Sequence, residues 1–232
     1  MQQCYNIADT LIVGQCIGAG ALAAVGSAYT LMVFLISVLL GLAMGSGTVF
    51  SLHYGAGNHV ALRRSIFSSF ALIGIVTLIL NVAVFIWLDP ILRLLQVPQD
   101  IYGMMRSYLW IIFCGIVFTF IYNFYASLLR AVGDSVTPIW FLAVSVVLNI
   151  ALDLFFILQL DWGIQGAAAA TVLAQGVAAL GIIIYTYRRR PELRWHHEDM
   201  CFDRTCLKEI ASFSTLTCVQ QSVMNLGILM IQ

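Results

Sequence analysis

Residues 139–158 read Ile139-Trp-Phe-Leu-Ala-Val-Ser-Val-Val-Leu-Asn-Ile-Ala-Leu-Asp-Leu-Phe-Phe-Ile-Leu158. These twenty residues carry one charge, Asp153. A helix rises about 1.5 Å per residue, so this stretch covers ~30 Å, the thickness of a bilayer's hydrocarbon core. Either it crosses a membrane or it is the core helix of a large soluble domain. Runs of the same order flank it at Ala28–Phe50, Ile66–Leu88, Tyr108–Leu128, Ile164–Tyr185 and Ile210–Ile231. The whole 232-residue chain is 61% hydrophobic and 9% charged, with a mean hydropathy of +0.95. Soluble domains carry roughly 25% charged residues. Six membrane-length runs and so few charges select an all-α, multi-pass membrane protein. A shorter segment at the start, Cys4–Ile17, holds Asn6 and Asp9.

Several classes of function are excluded or disfavoured. Net charge is zero, and no basic stripe with interleaved aromatics exists, so no nucleic-acid partner is expected. Met1–Gln3 has no Lys or Arg, unlike the basic start of a signal peptide. The six cysteines, Cys4, Cys16, Cys114, Cys201, Cys206 and Cys218, form no C-x-x-C pair. His196, His197, Cys201 and Cys206 share one polar stretch, but their spacing matches no common zinc site. Gly18-Ala-Gly20 follows no strand, so it is not a nucleotide loop.

Charge placement orients the chain. If the spans alternate, one side holds Arg63, Arg64, Arg130, Arg188, Arg189, Arg190, Arg194, Arg204 and Lys208, and the other only Arg93 and Arg106. The positive-inside rule puts the larger group, and the N-terminus, in the cytoplasm. Gly55-Ala-Gly57-Asn58 and Gly133-Asp134 mark tight turns on that side, and Pro138 opens a helix. Arg188–Arg204 reads as a linker. Residues 1–188 form a transmembrane lobe, 189–208 a cytoplasmic linker and 209–232 a further helix. Gly14-x3-Gly18 and Gly41-x3-Gly45 are small-xxx-small patterns that allow helices to approach closely.

Of the eleven acids, only Asp9 and Asp153 fall within spans. An intramembrane charge costs at least about 2.5–3.5 kcal/mol and usually marks an ion or proton pathway, with structural hydrogen bonding as the alternative. Ser145, Asn149 and Asp153 recur at i, i+4 and i+8 on one helical stripe. Tyr5 and Asp9, and Thr171 and Gln175, repeat the i, i+4 spacing on two other segments. Carboxylate, amide and hydroxyl oxygens suit a proton or a hard cation such as Na⁺. The expected Na⁺ set is Asp9, Asn149, Asp153 and Thr171, with the two acids approaching one another. Thr119, Tyr122 and Asn123 give a further span a polar face suited to interhelical hydrogen bonding.

These residues carry a family resemblance. Tyr5-Asn-Ile-Ala-Asp9-Thr-Leu-Ile-Val-Gly14, Ala21-Leu-Ala-Ala-Val-Gly26, Leu129-Arg-Ala-Val-Gly-Asp134-Ser-Val-Thr-Pro138, Leu148-Asn-Ile-Ala-Leu-Asp153 and Gly163-Ile-Gln-Gly166-Ala-Ala-Ala-Ala-Thr171 occur in order. Together they resemble the first half of multidrug and toxic compound extrusion (MATE) transporters. The resemblance implies two six-helix lobes around a cleft, in a cell-membrane antiporter whose export of small organic, cationic substrates is driven by a cation gradient. It implies a first-lobe cation site at Tyr5, Asp9, Asn149, Asp153 and Thr171. It implies no enzymatic activity, and no cofactor beyond H⁺ or Na⁺. The expected fold is a six-helix N-terminal lobe with a truncated first helix, plus a seventh helix that packs loosely because its own lobe is missing. That second lobe would be needed for activity. Some relatives carry an acid in helix seven, where this chain has Gln220, Gln221 and Asn225.

Three rival readings are weaker or carry less content. A lipid-linked sugar flippase of the same superfamily would want basic residues in its cleft, and these spans hold no Lys or Arg. An intramembrane aspartyl protease would need Tyr-Asp and Gly-x-Gly-Asp motifs, whereas Asp9 follows Ala8 and Asp153 follows Leu152. An inactive half-transporter is the third.

Overall fold

The computed structural model of the chain describes residues 10–94, 97–194 and 204–231. Residues 10–16 form α1. Then follow α2 (Ala19–Gly55), α3 (His59–Leu94), α4 (Gln99–Cys114), α5 (Ile116–Ala131), α6 (Val136–Leu154), α7 (Gly163–Arg189) and α8 (Arg204–Ile231). A π-helical turn, Phe155–Gln159, extends α6, and a short 3₁₀ turn, Pro191–Leu193, follows α7. The described residues contain no strand.

Four of these helices are long and apolar enough to cross a membrane: α2, α3, α6 with its π turn, and α7. The pair α4 and α5 makes a fifth if counted as one span. The expected continuous helix Tyr108–Leu128 is in fact broken at Gly115 and bent by 45°. The cause is local. A Cβ at Gly115 would lie 2.5 Å from Val172 Cγ2, so α7 occupies the space a side chain would need. Asn81 Nδ2 donates to the Phe113 carbonyl at 2.6 Å and supplies a partner at the end of α4. The helix expected as the seventh forms as α8, 28 residues long, but it is not among the helices apolar enough to cross a membrane. Gln220, Gln221 and Asn225 lower its apolar content.

Two turns use one device twice. At the end of α5, Gly133 (φ 88°) donates its N–H to Arg130 O at 3.1 Å, and Asp134 donates to Leu129 O at 2.9 Å. At the end of α2, Gly57 (φ 68°) donates to Tyr54 O at 3.0 Å and Asn58 to His53 O at 3.0 Å. This is the Schellman closure, and it needs a residue that accepts a left-handed backbone. The next residue then caps the following helix: Asp134 Oδ1 accepts from Thr137 N at 3.1 Å, and Asn58 Oδ1 from Ala61 N at 3.0 Å. The sequence Gly-Asp or Gly-Asn therefore ends one helix and starts the next with no loop between.

The chain divides into two compact units whose boundaries fall inside helices. The first comprises Met1–Met32, Leu78–Thr119 and Trp140–Ala178. Its core uses small residues on α7: Ala167, Ala168, Ala170, Ala174 and Ala178 are all buried, as are Leu88, Leu109 and Phe113. Small side chains let helix backbones come close, which is the main route to tight packing in lipid. Gly176 meets the Phe118 ring in ordinary contact, at 3.7 Å from where its Cβ would be.

The second unit comprises Val33–Thr77, Phe120–Ile139 and Ala179–Gln232. Its centre is aromatic: the rings of Phe50, Phe70 and Phe120 each lie 5.2–6.1 Å from that of Phe124, mostly edge to face. Two glycines of α2 serve as contact points. Gly45 leaves room for the α8 backbone at Ser214, and Gly47 leaves room for the Ser127 hydroxyl, which donates to Ala43 O at 2.7 Å. Of the two expected small-xxx-small patterns, Gly45 does pack a helix. Gly18 instead takes φ 115° at the break between α1 and α2 and has nothing within 4 Å of its Cβ position. The expectation that the last helix packs loosely also fails for its beginning. Ile210 and Ser214 are buried, and Ile210 clusters with Val49 and Leu72. Further along, Leu216, Val219 and Val223 are exposed.

Candidate cation-coupling site

The candidate site is built in the first unit, from α6 and α7. On α6, Ser145, Asn149 and Asp153 are each fully buried, at 0% exposure. Four-residue spacing puts them on one stripe, and this stripe faces α7. Ser145 Oγ donates to Ala174 O at 2.8 Å. Asn149 Nδ2 donates to Thr171 Oγ1 at 3.3 Å, and the Thr171 hydroxyl donates to Ala167 O at 3.0 Å. One turn further along α7, Gln175 Oε1 accepts from Thr119 Oγ1 at 2.6 Å. The polar seam is thus a ladder of three contacts made by two helices and the start of α5.

Asn149 Oδ1 is buried and has no hydrogen-bond partner among the described residues. A buried amide oxygen left so costs on the order of 1–3 kcal/mol unless something occupies it. It is a natural cation ligand. With the Asp153 carboxylate one turn away and the Thr171 hydroxyl beside it, the donors are all hard oxygens, so the residues present fit Na⁺ or a proton. Among the described residues no group of three or more His, Cys, Asp or Glu is placed to hold a metal ion.

Tyr5 and Asp9, the other two expected site residues, lie outside the described residues, as does the expected approach of Asp9 to Asp153. His196, His197 and Cys201 lie outside them too. The polar face of the bent pair acts between helices. Thr119 binds Gln175, and in the second unit the Tyr122 hydroxyl donates to Pro138 O at 2.8 Å.

A family model for MatE matches residues 1–155. The chain belongs to the MatE family. Among its relatives, the probable multidrug resistance protein YpnP of Bacillus subtilis is 35% identical over 82% of this chain and 43% of its own length. The probable multidrug resistance protein NorM of Thermotoga maritima is 27% identical over 99% of this chain and 50% of its own. The structure of an inward-facing multidrug resistance MATE family transporter of the MOP superfamily superposes with a TM-score of 0.89 at 25% identity. It covers 95% of this chain and 50% of that one. The chain therefore spans about half the length of the relatives it matches. It has the MATE fold, all helical, in a multi-pass membrane family.

Two features of this MatE chain escaped sequence reasoning. The π-helical turn Phe155–Gln159 begins two residues after Asp153, and turns of this kind gather at functional sites. Four apolar residues in a row followed by Gln159 carry no periodic signal for it. It closes with Trp162 stacked on Phe156, ring centroids 5.2 Å apart, while Gly166 keeps the approach of α7 open. The second is a polar cluster at the α3–α4 end. Asp89 accepts from Arg106 Nε at 2.8 Å and from the Tyr102 hydroxyl at 2.9 Å. Tyr102 and Arg106 share one face of α4, but Asp89 lies on α3, so only the fold brings the three together.

In the second unit, Asp134 of the helix-linking turn is a hub. Its carboxylate also accepts from the Tyr185 hydroxyl at 3.3 Å and lies 3.8 Å from Arg190 Nη2. Burial by itself would raise this carboxyl, but the Thr137 amide and hydroxyl, Tyr185 and Arg190 together outweigh it and hold it below the ordinary carboxylate value.

Proposed function

We propose that this chain forms the cation-coupling lobe of a multidrug exporter, working as an antiporter in the cell membrane with its N-terminus in the cytoplasm. The coupling ion is H⁺ or Na⁺, the cargo is a small organic cation, and the exporting machine includes a second lobe. The observation that carries this reading is the buried oxygen cluster of Asp153, Asn149 and Thr171 in a chain of the MatE family. The names of the relatives, multidrug resistance and export proteins, support the cargo class. The nine-to-two partition of basic residues supports the orientation.

Asn149 and Thr171, joined by their hydrogen bond, tie α6 to α7 at the depth of Asp153. A cation held by Asp153, Asn149 Oδ1, Thr171 and Asp9 would neutralise the buried Asp153 carboxylate and bias the lobe towards the conformation that contains this cluster. An ion shifts a conformational equilibrium only through its different affinity for the two states. Asp153→Asn retains shape and hydrogen bonding but can neither release a proton nor present a full charge. The test is dye efflux from proteoliposomes under an imposed H⁺ or Na⁺ gradient, with a relative's second lobe fused after the linker. Asp153→Asn should abolish gradient-driven efflux at equal reconstitution. Efflux at the unsubstituted rate would make the carboxylate structural and end this reading.

A further inference from the structure

The end of α3 and the beginning of α4 carry two surface features that the cation site does not use, an open apolar face and a pocket. One is a groove of about 430 Å³ walled by Leu78, Ile79, Val82, Ala83, Ile86 and Trp87. Their spacing places them on one stripe of α3. Five of the six are large side chains that are 55–68% exposed, so no part of the described chain covers them. The other is a pocket of about 320 Å³ lined by Arg93, Val97, Gln99 and Tyr102. Arg93 lies seven residues, two turns, beyond Ile86, so the apolar stripe runs towards the pocket.

Length, charge and polarity agree on an occupant. From Leu78 to Arg93 is about 22 Å of helix. Half of a bilayer, headgroups included, is about 20–22 Å. The stripe and the pocket together therefore measure one leaflet, apolar for most of its depth and cationic at one end. Trp87 sits near the changeover, where an amphipathic ring is favoured by the membrane interface. Next to it Phe85 packs on Trp110 of α4, with ring centroids 4.6 Å apart.

At the polar end, Asp89 is already matched by Arg106 in a two-point contact, Nε to Oδ1 at 2.8 Å and Nη2 to Oδ2 at 3.3 Å. Arg93 also faces Asp89 and the Tyr102 hydroxyl, so two arginines meet one carboxylate and the cluster keeps one positive charge. Asp100, the acid in the first turn of α4, is exposed. Pro98, the N-cap of α4, offers its helix no side-chain hydrogen bond, and Gln99, the first residue of α4, lines the pocket.

We propose that this face holds one diacyl glycerophospholipid, with its phosphodiester against Arg93 and Gln99 and an acyl chain laid along the stripe from Ile86 to Leu78. This rests on the chain spanning a bilayer, not on the cation-coupling reading. A lipid held at both ends ties the end of α3 to the start of α4 and fills a surface that the protein itself leaves open.

The test uses the full chain, purified in detergent and stripped of lipid. Retained ligand is counted by native mass spectrometry during titration with dioleoylphosphatidylglycerol, with dioleoylglycerol, which lacks the phosphate, or with inorganic phosphate, which lacks the chains. One phospholipid should be retained, and dioleoylglycerol about fivefold less, the worth of one interfacial Arg near a phosphate. Arg93→Ala should lower phospholipid retention by the same factor, and Val82→Trp, which fills the groove, should lower it independently. Arg188→Ala, on another helix, should leave it unchanged. Helical content and elution volume report that each variant is folded, and Arg93→Gln replaces Arg93→Ala if that variant is not. Equal retention of dioleoylglycerol, or no loss in either folded variant, would reduce the face to ordinary lipid contact and overturn the proposal. Retention of inorganic phosphate in place of the lipid would overturn it as well.

Discussion

Gly47 and Ser127 form a lock whose parts can be separated by mutation. A Cβ at position 47 would overlap the Ser127 Oγ, which is held in place by its 2.7 Å bond to Ala43 O. The overlap is about 1 Å relative to an ordinary contact of roughly 3.5 Å. Gly47→Ala has two ways out. The helices part, at the ~1–3 kcal/mol of an overpacked core. Or Ser127 turns away and loses its hydrogen bond, at about 0.5–1.5 kcal/mol. Against either cost stands a gain of about 0.4–1 kcal/mol from a less flexible unfolded chain. The single substitution should then cost about 1 kcal/mol net. Ser127→Ala should cost about 1 kcal/mol through the lost bond. With the hydroxyl gone, the nearest remaining atoms to a new Cβ are Ser127 O at 3.5 Å and Ser127 Cβ at 3.6 Å, both ordinary contacts. In that background Gly47→Ala should be neutral or stabilising, a coupling of about 1–2 kcal/mol. Thermal unfolding of the four proteins in one detergent measures it. A kcal/mol corresponds to about 2–4 °C for a chain of this size. Gly47→Ala should lower the melting temperature in the parent and not in Ser127→Ala. An equal drop in both backgrounds would show that the hydroxyl is not what Gly47 accommodates.

Gly45→Ala should be harsher, about 3 kcal/mol, because its Cβ would meet the Ser214 backbone N at 2.6 Å, and Ser214→Ala should bring no relief; rescue in the melting series would refute a backbone clash. Asp134→Ala should cost about 1–2 kcal/mol at pH 7 through loss of the α6 cap, and Asp134→Asn less, since Asn caps as well as Asp. The depressed Asp134 carboxyl contributes stability that is present above its unfolded value and lost as pH falls through its lower folded value, so the parent and Asp134→Asn should converge in acid. A gap that persists in acid would exclude the charge. Gln175→Leu should loosen the α5–α7 contact by removing the acceptor of Thr119, seen as faster amide exchange in residues 115–120; unchanged exchange would show the bond to be incidental.

The sequence by itself determined the helices, the membrane and the candidate cation residues. Apolar runs of bilayer length are a property of composition and order alone, because lipid forces each backbone to satisfy itself within its own helix. The cost of an intramembrane carboxylate isolates Asp153 without any knowledge of neighbours, and i, i+4 spacing adds Asn149 and Ser145 because a helix fixes that geometry locally. Gly-Asn and Gly-Asp were legible as turns for the same reason. Which faces meet was not legible. That Gly45 receives α8 while Gly18 makes a turn, that Asn149 finds Thr171, and that Asp89 finds Arg106 depend on distances between segments remote in the chain. The break at Gly115 is decided in the same way, by Val172 standing where a side chain would go. In a membrane, apolar surfaces gain little by preferring one another over lipid, so close packing and a few hydrogen bonds select the partners, and these exist only once the tertiary structure has formed.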